Sequence, residues 1–127
     1  MSPQTVPSLT GVVWASLPIP GLLIDGQGLI VDINPAAEDF LNVSTRSLKG
    51  QFVFDRLHIN APMEEAIART RFNRAALSIN DVDVTTGEKP PVQCQLQLAP
   101  IQDNPDYVML LIWPREIADR FGRDAGT

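Results

Sequence analysis

At 127 residues the chain is long enough for one domain with a real core and too short for two of typical size. A hydrophobic content of 44% and a charged content of 20% are those of an ordinary globular protein, and a net charge of −5 speaks against sequence-independent nucleic-acid binding, which needs a basic face to displace counterions. The single cysteine, Cys94, cannot close an intrachain disulfide, so a reducing cytoplasm fits. The first twenty residues lack basic side chains and a long apolar run, so they read as neither a signal peptide nor a membrane span.

Residues 1–7 hold two prolines and little to bury, and are expected to be disordered. In the segment 8–20, Ser8 can cap an amphipathic helix reaching about Leu17, with Leu9, Val12, Val13 and Leu17 at i, i+3, i+4 and i+8. Pro18 and Pro20 end it. Gly11 weakens this helix, which therefore needs a partner surface, either its own sheet or a second copy of the chain.

The core, 21–113, opens on its most informative stretch, Gly21 to Asn42. Leu22, Leu23 and Ile24 make a short strand, and Asp25-Gly26 is a strong hairpin signal because glycine tolerates the positive φ a tight turn needs. Leu29, Val31 and Ile33 then alternate against Ile30, Asp32 and Asn34, the pattern of a half-buried strand. Asn34-Pro35 is a helix start: asparagine caps, and proline at the first helical position lacks an N–H that would be unpaired anyway. Ala36, Ala37, Phe40 and Leu41 share one face of that helix, and Glu38 and Asp39 sit near its positive end.

A one-turn helix follows, with Ser44 as cap and Gly50 as left-handed stop. After the apolar patch of Phe52, Val53, Phe54 and Leu57, Asn60-Ala61-Pro62 opens a longer helix. It carries Glu64 and Glu65 early and Arg69, Arg71 and Arg74 late, and would turn Met63, Ala66, Ile67 and Thr70 to a sheet. The arginines read as a solvated helix end. Three strands complete the pattern. Leu77, Ile79, Val82 and Val84 change phase at Asn80-Asp81, which predicts a bulge. Val92, Cys94, Leu96 and Leu98 alternate with glutamines. Tyr107 to Trp113 is apolar on both faces, so something must cover the second one. From Pro114 an outgoing helix is expected, with Ile117 and Phe121 at i, i+4.

The stretch LLIDGQGLIVDINPAAEDFL, followed by Leu48-Lys49-Gly50, resembles the opening of a PAS domain. More narrowly it is similar to the N-terminal PAS domain of the NtrB family of nitrogen-regulation sensor histidine kinases, over roughly residues 10–115. The resemblance implies an α+β PAS fold: a five-stranded antiparallel sheet with helices on one face, an N-terminal helix, and, across 114–127, the start of a C-terminal linker helix. It places ligand-cavity candidates at Asn34, Phe40, Phe52, Phe54, Leu57, Met63, Ile67, Cys94 and Met109. Dimer-interface candidates are Leu9, Val12, Val13, Leu17, Tyr107, Met109, Leu111 and Trp113.

Other chemistry is poorly supplied. His58, the lone histidine, would need a cavity and a supporting acceptor to act as haem ligand or base, and Asp55 is its only sequence neighbour of that kind. Cys94 reads as a small core hydrophobe, a Cys94–His58–Asp55 triad lacks any activating motif, and one histidine with one cysteine is too few for a metal. No catalytic residue is assigned.

The chain is therefore read as an isolated, cytoplasmic regulatory and dimerisation module with no enzyme activity of its own, belonging to a histidine kinase of two-component nitrogen signalling. The resemblance implies a homodimer, an NtrC-type response regulator and a PII-type signalling protein as partners, neither nucleic acid nor membrane, and no cofactor, although an unidentified small ligand has room in the fold. Two alternatives stay open. One is the same module feeding another output; the other is a small α+β carrier or enzyme using the same cavity.

Overall fold

Six strands form one antiparallel sheet in the order β2-β1-β6-β5-β4-β3, in a computed structural model that describes residues 9–115. The elements run α1 (Leu9–Ser16), β1 (Gly21–Ile24), β2 (Ile30–Ile33), α2 (Pro35–Leu41), α3 (Thr45–Leu48), β3 (Leu57–Ile59), α4 (Met63–Asn73), β4 (Leu77–Thr86), β5 (Val92–Ile101) and β6 (Asn104–Pro114). A single 3₁₀ turn at Val53–Asp55 precedes β3. The expectations for 1–7, for Ser8, and for the outgoing helix beyond Arg115 lie outside the described residues.

The sheet has one strand more than expected. The extra strand, β3, is three residues long and pairs only with β4, Leu57 opposite Thr86 and Ile59 opposite Val84. Three residues carry too little alternation to announce a strand, and the neighbouring phenylalanines mask it. Asn60, expected to open the α4 helix, belongs to this edge instead: its side chain accepts from the Asp83 N–H at 2.7 Å, and Pro62 occupies the cap position.

The β1–β2 hairpin is held mostly from one side chain. Asp25 accepts from the Gln27 and Leu29 N–H groups through Oδ1, and its carbonyl accepts from Gly28. The positive φ falls on Gly28, at 86°, and not on Gly26. A side chain at Gly28 would also run into Phe52, whose ring comes within 2.6 Å of the site of a Cβ. In β2 the buried residues are Ile30 and Ile33, while Val31 is only half-buried, so the strand is less regular than its alternation promised.

Asn34 ties three segments together. Its Oδ1 accepts from Ala37 N, capping α2, and from Gly21 N at the start of β1; its Nδ2 donates to the Ile19 carbonyl. The residue is completely buried with both ends of its amide paired. α2 ends at Asn42 in the left-handed region, and Ala37 is its one fully buried side chain. α3 has the expected Ser44 cap, and Gly50 follows with φ 82°.

The expected bulge interrupts β4 between Ile79 and Val82, where Asp81 takes φ 56°. β6 begins three residues earlier than its apolar run, at Asn104, because the β5–β6 turn is tight and Ile101 pairs with Asn104. The core lies between one face of the sheet and α2, α3 and α4. Leu22, Ile24, Val84, Leu96, Leu98, Val108, Leu110 and Ile112 are fully buried there. α4 faces it with Met63, Ala66, Ile67 and Thr70, as its sequence predicts.

Candidate functional site

The side chains expected to line one cavity are divided between the core and two hollows beside α4. Leu57, Met63, Ile67 and Cys94 are built into the continuous core, and Phe40 packs against it half-buried. Asn34 is engaged through both ends of its amide, on the cap, on β1 and on the Ile19 carbonyl. Met109 alternates with Val108 and Leu110, so it points to the opposite face of the sheet. Two of the hollows beside α4 share the Phe54 ring, which meets Phe52 edge to face at 5.6 Å.

The first hollow, about 560 Å³, is an open groove between β3 and the start of α4, with Phe54, Leu57, His58 and Met63 along it. His58 is exposed on an edge strand, and the exposed Asp55 is not among its hydrogen-bond partners. The second hollow, about 240 Å³, lies between the Asp25–Gly28 turn, the phenylalanines and the outer turns of α4. Phe52, Phe54, Ile67 and Ala68 give it an apolar wall, and Arg71 and Glu64 bring opposite charges. Arg71 is missed as a site residue by sequence reasoning, which counts it as one of three solvated arginines. Its guanidinium lies against Gly26, and Nη2 is 3.1 Å from Asp106 Oδ1.

Cys94 is buried, and its Sγ–H reaches the Val92 carbonyl at 3.4 Å. Burial, with a smaller contribution from the Asp83 charge, pushes its thiol up to about 11, the opposite of what a nucleophile needs. No group of three or more histidine, cysteine, aspartate or glutamate side chains gathers in metal-binding fashion among the described residues. The Glu38 carboxyl is held below its ordinary pKa. The Thr45 N–H at 2.7 Å and then the Thr45 hydroxyl at 2.9 Å stabilise its charged form, linking α2 to α3.

This sheet order, with a capped helix after the first hairpin and a helix laid across the inner face, agrees with a family model described as the PAS fold, which matches residues 12–114. The chain belongs to the PAS family. Among curated proteins it is 61% identical over 113 residues to the sensory histidine kinase/phosphatase NtrB of Rhodobacter capsulatus, covering 89% of this chain and 32% of that protein. It is 26% identical over 107 residues to NtrB of Azospirillum brasilense, covering 84% of this chain and 27% of that one. The chain thus spans about a third or less of the relatives it matches. Among solved structures, the PAS domain of nitrogen regulation protein NR(II) from Vibrio parahaemolyticus superposes with a TM-score of 0.70 at 15% identity, covering 85% of this chain and 99% of that one.

The second surface of this PAS domain is the outer face of its sheet. Tyr107, Met109, Leu111 and Trp113 lie there half-buried, with Leu23 of β1 beside them. α1 docks on its own domain through Trp14, whose Nε1–H donates to Asp32 Oδ2 at 3.1 Å. The indole presses on Gly21, where a Cβ would come within 3.0 Å of the ring. Trp14 is absent from the sequence-derived stripe because it falls at i+5, between the i+4 and i+8 positions. Of that stripe, Val12 and Val13 stay about half exposed, at 49% and 51%, Leu17 is half-buried, and for Leu9 only the helical backbone is described. Where β6 ends, Arg115 Nη1 lies 2.7 Å from Gln93 Oε1 and 3.9 Å from Asp81 Oδ1, so the first residue beyond the strand is tied back to the β4 bulge.

Proposed function

We propose that this PAS domain is the regulatory and dimerisation module of an NtrB-like sensor histidine kinase in two-component nitrogen signalling. The observation that carries the reading is the identity to the Rhodobacter NtrB across most of this chain. In this reading the phosphotransfer machinery lies elsewhere in the parent kinase, and an NtrC-type response regulator receives the phosphate. A PII-type protein conveys nitrogen status. The module has no resident cofactor and works in the cytoplasm without contacting nucleic acid or membrane.

Two copies pair through Val12 and Val13 of α1 and the outer face of β6, and the segment leaving β6 transmits the arrangement. Such a switch requires that an input bind one arrangement more tightly than the other. The Arg115 contacts to β4 and β5 support this, because they couple the exit segment to the sheet. The test is autophosphorylation of the full-length protein with labelled ATP, with phosphate transfer to an NtrC-type receiver. A product without kinase activity sinks the reading. For pairing, Val12→Glu with Val13→Glu is expected to give a folded monomer by light scattering, since both side chains are exposed and Trp14 keeps α1 in place. A dimer that persists rules out α1 as the interface.

A further inference from the structure

Arg71 Nε is buried and has no hydrogen-bond partner, the one such side-chain atom among the described residues. Leaving a charged donor unpaired away from water is costly, and here the cost falls beside an apolar hollow. The guanidinium lies against Gly26, where a methyl group would come within 2.8 Å of Cζ and Nη2. Its ion pair with Asp106 is replaceable, because that carboxylate is 72% exposed.

We propose that this hollow binds a short aliphatic monocarboxylate, with Arg71 as the group that takes its charge. The ligand carboxylate completes the hydrogen bonding of Arg71 by engaging Nε–H together with an Nη group, in exchange for Asp106. Its alkyl chain lies along Phe52, Phe54, Ile67 and Ala68. A cavity of about 150 Å³ already accommodates benzene, so the 240 Å³ available suits a carboxylate of four or five carbons. Glu64 sets the far limit. It stands seven residues from Arg71 on α4, about 10 Å along the helix axis, and repels a second negative charge. Dicarboxylates are therefore disfavoured. The proposal rests on the reading of this domain as a sensor, and gives its input a chemical class.

The test is a ¹⁵N NMR titration of this chain with butyrate, with butyramide, succinate and inorganic phosphate as comparison probes. Butyrate should give saturable shifts at Gly26–Gly28, at 68–72 and at the Arg71 Nε–H signal. Arg71→Gln should weaken binding about tenfold or more, the worth of a hydrogen bond to a charged group. Gly26→Ala, at a position without positive φ, keeps Arg71 but displaces its fork, and should weaken binding comparably while the remaining spectrum is preserved. Butyramide and succinate should bind at least about tenfold more weakly than butyrate. The proposal is overturned if butyrate gives no saturable shifts, if butyramide or phosphate binds as well, or if Gly26→Ala binds like the wild type. The titration needs no kinase, so its failure is separable from failure of the kinase reading.

Discussion

The two faces of the sheet were built to different standards. On the inner face Leu110 and Ile112 are completely buried, and α2, α3 and α4 close over them. On the outer face Leu111 and Trp113, their immediate neighbours in β6, are only half-buried, and α1 reaches the domain through Trp14 while leaving Val12 and Val13 in water. The inner face thus carries the stability of the fold. The outer face has apolar area that folding alone does not remove from water, which is where association has something to gain.

The largest blow to the inner side should come from Asn34→Ala. It removes the α2 cap and leaves the buried Gly21 N–H and Ile19 carbonyl without their partner, an expected loss of about 3–5 kcal/mol in denaturant unfolding. A loss below about 1 kcal/mol would mean that water replaces the amide and the knot is dispensable. Leu110→Ala and Leu111→Ala test the contrast directly. The first should cost about 2–5 kcal/mol through its cavity, the second about 1 kcal/mol or less in the monomer. Equal costs would erase the distinction between the faces.

Smaller in effect, Glu38→Gln should flatten the acid limb of the stability curve. Thr45 holds the Glu38 carboxylate below its ordinary value of 4.5, so the folded state binds this proton less readily than the unfolded one. Its contribution is present above that value and fades as the pH falls from there toward the folded pKa. Wild type and variant should therefore converge in acid and separate toward neutrality; parallel curves would show that Thr45 does not tune this group. The smallest change is expected from Arg69→Ala, which breaks an exposed pair with Glu65 at 3.5 Å and should cost only a few tenths of a kcal/mol.

The parts of the fold that sequence made legible are those whose bonds are local. Asp25 folds its hairpin by accepting from residues two and four positions on, and Asn34 caps from three positions away. The cap reads directly from spacing, and the hairpin from the Asp25-Gly26 pair, though not the Asp25 side-chain bonds that hold it. The misreadings came where a distant contact decides. Gly28 rather than Gly26 takes the positive φ, and Phe52 must find room beside it. β3 exists because β4 is there to pair with it. Trp14 matters because Asp32 and Gly21 lie beneath it. The site was less legible than the fold. The apolar cavity candidates are divided between the core and two hollows, and Arg71 stands out among three similar arginines only once the turn at Gly26 is folded against it. A buried, unpaired nitrogen has no sequence signature.

The pairing of β1 with β6 has a further consequence. Gly21 lies opposite Leu111, and the pairing continues outward as the Ile112 N–H donates to the Pro20 carbonyl at 2.9 Å. The point where the polypeptide enters the core and the point where it leaves are therefore neighbouring strands in the middle of one sheet. A unit whose two ends are adjacent can be spliced into a longer chain without stretching it, and a twist applied at one end reaches the other through a few backbone hydrogen bonds.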